Sequence, residues 1–168
     1  MKLKRYLILG LLLIGVGVLS QRREVRVFWL LNTKQCPACD LQGVNLAGAD
    51  LQGANLRSAD LSNANLSEAM LAKSNLAESN LQQADLSLAN LTGVDMANVD
   101  LRNANLSGAS LTNARLWQAN LKRANLLFAE LTGANLNGAD LSQAELYGAN
   151  LSGAQLKQTV MPEGKQRR

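Results

Sequence analysis

From Leu41 to Leu156 an apolar residue returns at every fifth position, 24 times in all, and only Met96 among them is not Leu. Two positions before each stands a second small or apolar residue. It is Ala in 18 of the 24 quintets and Cys39, Val44, Ser74, Ser79, Val94 or Val99 in the others. The period excludes a long helix. Five residues advance the azimuth of an α-helix by about 500°, so successive leucines would step around the axis and never form a stripe. It also excludes a continuous strand, on which an odd spacing sends successive leucines to opposite faces. The chain must therefore turn once in every quintet. Within a quintet the Ala and the Leu are two apart, so on an extended segment both point the same way. The pattern predicts a solenoid of short extended sides, each with one small and one large inward residue.

The intervening positions carry the chemistry such turns need. In Ala49-Asp50-Leu51-Gln52-Gly53 and Ala134-Asn135-Leu136-Asn137-Gly138, polar residues and Gly occupy the corner. The period alone leaves open how many sides make one coil.

The tract resembles the pentapeptide-repeat family, whose pattern is Ala-(Asp/Asn)-Leu-x-x, over about 120 of the 168 residues. The resemblance implies an all-β solenoid: a right-handed quadrilateral β-helix with four quintets per coil, hence about six coils over residues 39–158.

A stack of coils has two raw ends. Residues 21–38 are expected to form the N-terminal cap, with Val25, Val27, Phe28, Trp29, Leu30 and Leu31 in a short capping helix. At the other end, Val160, Met161 and Pro162 lead into residues 159–168, expected to be a basic tail that frays.

Cys36-Pro37-Ala38-Cys39-Asp40-Leu41 joins cap to repeat, and exported cyanobacterial-type members of the family often carry such a segment. The two cysteines could be a redox pair, half of a metal site or a structural disulfide. Counting in fives puts Cys36 in the Leu register and Cys39 in the Ala register, so both are expected to point inward. No His and no second cysteine pair exist to complete a zinc site, and the strand-to-helix setting of a thioredoxin-type motif is absent. The favoured reading is a disulfide, or two buried thiols, that pins the first turn in an oxidising compartment.

Composition narrows the function. The chain has no His, which removes the commonest general base and metal ligand, and Ser residues have nothing to activate them. No phosphate-binding Gly-rich loop is present. Catalysis, cofactors and metals are not expected. The formal charge of +4 comes from the ends, because residues 40–159 hold 7 Lys/Arg against 11 Asp/Glu. The repeat body offers no basic footprint for nucleic acid.

Residues 1–20 have the layout of a targeting segment: Lys2, Lys4 and Arg5, then an uncharged apolar run from Tyr6 to Leu19. As a helix that run spans roughly 21 Å, short of a bilayer core of ~30 Å. A signal peptide cleaved before Gln21 is the leading reading. Attachment to a membrane by an uncleaved anchor, residues 6–19, is the alternative.

With two residues of each quintet inside, binding must use outward positions, and the family's coil places every fourth quintet in one column. Leu88, Leu127, Phe128 and Tyr147 gather on one side of the square, with Gly108 in the slot between Leu88 and Phe128, and form a candidate partner surface. A secondary candidate is Arg102, Lys122 and Arg123 on the preceding side, with Trp117 and Arg115 opposite the apolar group. The reading that follows is a non-catalytic structural or protein-interaction module, a monomer or weak oligomer, exported to a periplasm or thylakoid lumen, with an unidentified protein partner. The family also implies an alternative, a DNA-mimicking protein that binds gyrase. That alternative calls for a strongly acidic surface and a cytoplasmic address, which the mild acidity of the rod and the apolar leader oppose.

Overall fold

The structure is a computed structural model that describes residues 23–166, so the leader, the anchor alternative and the end of the basic tail lie outside the described residues. It opens with one α-helix, α1 (Arg23–Thr33), followed by a solenoid that makes a turn in every quintet.

Each corner is built alike. The Ala N–H donates to the Leu C=O three residues earlier, as from Ala54 to Leu51 at 3.0 Å. The third residue of the turn has a positive φ at all 25 corners from Ala38 to Gln158, while the second does not, which makes these type II turns. Glycine holds only nine of those 25 positions, so most corners place an ordinary L-residue in a region that costs it roughly 1–2 kcal/mol. The surrounding ladder holds them there.

That ladder fixes the size of a coil. Every parallel bridge from Gln35↔Asn55 to Asp140↔Val160 joins positions four quintets apart, so four turns close one circuit. Each side contributes three bonds to its neighbours: Leu61 N–H donates to Asn80 C=O, Asn63 N–H to Gln82 C=O, and Asp60 N–H to Cys39 C=O, at 2.7–2.9 Å. Among the described residues β-pairing is confined to single bridges, because a side is only long enough to present one paired residue before the next corner. The leucines converge on the axis and are buried from Leu41 to Leu141, whereas Leu146, Leu151 and Leu156 in the final coil are only partly covered.

The Asp/Asn beside each Leu is explained by two hydrogen bonds. Its Oδ1 accepts from the backbone N–H two residues on, as Asp60 does from Ser62 at 2.9 Å, stabilising the corner. At several Asn positions the amide also donates to the side chain one coil earlier: Asn80 to Asp60 at 3.1 Å, Asn105 to Asp85 at 3.0 Å, Asn125 to Asn105 at 3.2 Å. In the column Asp85–Asn105–Asn125 an amide supplies the donor at each step. Replacing Asn105 by Asp removes the donor to Asp85 and sets two carboxylates one above the other. The variant is expected to lose about 1–2 kcal/mol at neutral pH, measured by urea unfolding, and to recover much of that below pH 4 as the carboxyls protonate.

Both ends differ from expectation. The ladder starts at Gln35, inside the segment assigned to the cap, and it runs past residue 158. Thr159 is fully buried, Met161 is buried in the column of Leu141, and residues 161–164 turn so that Val160 meets Gln166 in an antiparallel bridge. Residues 159–166 therefore continue the stack and fold over its end, where a fraying tail was expected. Their register was visible in the chain, since Met161 lies four quintets after Leu141 and Thr159 takes the Ala position. At the N-terminus, Leu30 is fully buried and Val27 packs against the core, while Phe28, Trp29 and Leu31 face outward. The end of a square rod accepts only one stripe of so short a helix.

Cys36 and Cys39 are joined in a disulfide. Cys36 is buried and Cys39 partly buried against the core. The bridge closes the corner where α1 hands over to the first side, and Arg26 straps the same junction through an ion pair to Asp40 at 3.0 Å.

Candidate partner surface

The column of third-corner residues on one side reads Glu68, Leu88, Gly108, Phe128, Gly148. Leu88 and Phe128 sit there with φ of 58° and 56°. They are 64% and 65% exposed, so burial does not repay the left-handed backbone. Each side chain leans over the glycine of the next coil. A Cβ on Gly108 would come within 2.8 Å of Leu88 Cδ2, and one on Gly148 within 2.4 Å of Phe128 Cδ1. Other corners carry larger residues at the same φ, so what requires glycine here is the slot for the side chain below.

Tyr147, 77% exposed, packs edge-on against Phe128 with ring centroids 5.7 Å apart and planes at 85°. Leu127 is half-buried beside them, one coil below Tyr147 in its own column. The structure therefore brings Leu127, Phe128 and Tyr147 into one patch. Leu88 extends the same column two coils earlier, separated from Phe128 by Gly108. The sequence marked these four residues and the first slot but not the second, Gly148. The alternation of bulky and Gly along one column was the available signal.

The basic group on the preceding side is less free than its charge implied. Arg102 holds Asp100 in a forked ion pair (Nη2–Oδ2 2.7 Å, Nε–Oδ1 2.9 Å), and Gln82 donates to the same carboxylate. Partial burial pushes the Asp100 carboxyl up, but the Arg102 guanidinium and N–H together with the Gln82 amide outweigh it and hold the group below its ordinary value. Arg123 donates to Gln143 Oε1 at 2.7 Å, and Lys122 is exposed. On the far side Arg115 pairs with Asp95 at 3.5 Å, next to an exposed Trp117. These contacts tie the charged columns into the ladder. The apolar patch, by contrast, faces outward, with Leu88, Phe128 and Tyr147 all largely exposed.

The model of pentapeptide repeats matches eight copies over residues 39–161. The chain belongs to the pentapeptide-repeat family. A pentapeptide-repeat protein is a right-handed quadrilateral β-helix, and the four-sided circuit seen here is that architecture. Among solved structures the chain is similar to a pentapeptide-repeat protein from the cyanobacterium Cyanothece 51142, with 26% identity over 82% of this chain and 95% of that one and a TM-score of 0.51. It is also similar to one from the Arabidopsis thaliana thylakoid lumen, with 29% identity over 68% and 66% of the two chains and a TM-score of 0.47. No curated protein matches the chain.

Proposed function

We propose that this pentapeptide-repeat protein is a non-catalytic interaction module that receives a protein partner on the patch of Leu88, Leu127, Phe128 and Tyr147. In this reading the coils between Gln35 and Met161 form the scaffold. The leader takes the chain across a membrane into a periplasm or thylakoid lumen. Its layout and the Cys36–Cys39 disulfide support export, because such bridges persist in oxidising compartments. The observation that carries the proposal is the pair of exposed apolar residues held at left-handed corners, where Gly or Asn would be easier. The gyrase-binding alternative gains nothing from the ladders, whose bridge positions from 40 to 155 hold eleven Asn against seven Asp.

The test separates recognition from stability. Phe128→Gly frees a strained corner while it deletes an exposed ring, so its stability is expected to stay within about 1 kcal/mol of wild type. A photo-cross-linking residue at position 128 is expected to yield a discrete adduct in the native exported fraction. Tyr147→Ser should abolish that adduct, and the same probe at Asn113, on the next side, should not produce it. A loss of several kcal/mol in Phe128→Gly, or identical adducts at 113 and 128, would show the ring to be structural and overturn the assignment.

A further inference from the structure

The second apolar surface that the rod leaves uncovered is on α1. Phe28, Trp29 and Leu31 are 49%, 46% and 41% exposed, although they belong to a helix whose opposite stripe seals the core through Leu30 and Val27. Exposed polar side chains on the helix stand toward its ends, Glu24 in the first turn and Asn32 and Thr33 in the last, so the middle of the outward surface is apolar. The polar side chains of the last turn are already partnered: Asn32 donates to Phe28 C=O and Thr33 Oγ1 to Trp29 C=O, both at 2.7 Å. That lowers the cost of withdrawing this end of the helix from water.

The sequence ahead of α1 indicates what covers it. The uncharged run Tyr6 to Leu19 is separated from the helix by residues 20–22 alone, a tether of at most about 11 Å. For as long as that run stays attached and enters a bilayer, it holds α1 at the surface. Trp and Phe on a short helix with Arg22 and Arg23 at its start suit the boundary between head groups and acyl chains, which accepts amphipathic rings and favours cations at anionic lipid.

We infer that α1 docks the rod onto a lipid bilayer, with Phe28, Trp29 and Leu31 in the interface and the coils projecting away from it. This docking is independent of the partner patch, which is carried on the side of the rod. It makes α1 both the plug of the core and a foot on the membrane.

The chain carries two tryptophans, so Trp117→Phe leaves Trp29 as the sole tryptophan, excited selectively over the tyrosines. The full-length protein, in whatever processed form it is recovered, is mixed with vesicles of phosphatidylcholine and phosphatidylglycerol at three to one, with and without brominated acyl chains. Trp29 emission is expected to shift to the blue and to be quenched by the brominated lipid. Adding Phe28→Ser and Leu31→Ser, both exposed and tolerable to the fold, should cut that quenching about fivefold. In the reciprocal Trp29→Phe protein, Trp117 on the side of the rod should escape quenching. Unquenched Trp29 overturns the inference, as does quenching that ignores the two serines. Trp29 emission that is already blue-shifted without vesicles, in a species of doubled mass, would assign the surface to a second copy and overturn it equally.

Discussion

Deleting Ser107 alone is expected to strip hydrogen-exchange protection from the amides beyond it, while deleting residues 112–116 leaves the rest of the rod protected. A missing single residue shifts every later Leu one step out of phase, so Leu111, Leu116 and their successors leave the axis and the ladder to the coil below is lost. Removing Thr112 to Leu116 instead joins Leu111 to Trp117-Gln118-Ala119-Asn120-Leu121, which preserves the quintet. It turns everything downstream by one side of the square. Phe128 would then stand seven quintets after Leu88 instead of eight, and the apolar column would break while the core survived. Deleting the four quintets 52–71, which leaves Leu88, Gly108 and Phe128 in place, keeps the faces aligned and shortens the rod by one circuit. Repeat proteins tolerate loss of a unit because each contacts only its neighbours. Mass-spectrometric exchange reads all three variants in the same way.

The second large effect concerns the position of a leucine along the rod. Leu106→Ala, at a fully buried site with coils on both sides, is expected to cost about 2–5 kcal/mol, whereas Leu151→Ala in the partly covered final coil should cost roughly 1–2 kcal/mol. The removed atoms are the same. What differs is the cavity, which is enclosed at Leu106 and open to solvent at Leu151. Urea unfolding of the two variants gives the comparison, and equal costs would mean that the final coil is as well covered as the middle ones.

What the chain disclosed and what it withheld follow from the same geometry. An odd apolar period forces one turn per quintet, and the inward pair of Ala and Leu follows from their spacing of two, so fold class and core were legible residue by residue. The number of sides was not, since any polygon satisfies the period. Only the bridges from Gln35 to Val160 fix four quintets per circuit. The corners were half legible. Gly43 or Asn63 announces a left-handed turn, but Lys73, Leu88, Arg123 and Phe128 adopt the same φ because the ladder on either side leaves them no other. The patch emerged from sequence because a column can be counted, and its second slot, Gly148, was missed because nothing local distinguishes it from other corner glycines. At α1 the expected capping helix is present, but only one stripe of its six apolar residues meets the core. The surplus is what points to the membrane.

The central claim, a circuit of four sides with one quintet to each, is tested most directly by cross-linking paired cysteines. Asn65→Cys with Asp85→Cys places two outward thiols on bridge partners one coil apart, about 5 Å, within reach of a disulfide. Mild oxidation is expected to join them within the monomer and to leave Asn65→Cys with Asn80→Cys, and Asn65→Cys with Asn90→Cys, unjoined, because those partners lie around a corner. Efficient joining of 65 to 80 or to 90, with none of 65 to 85, would contradict the fold on which every surface described above depends.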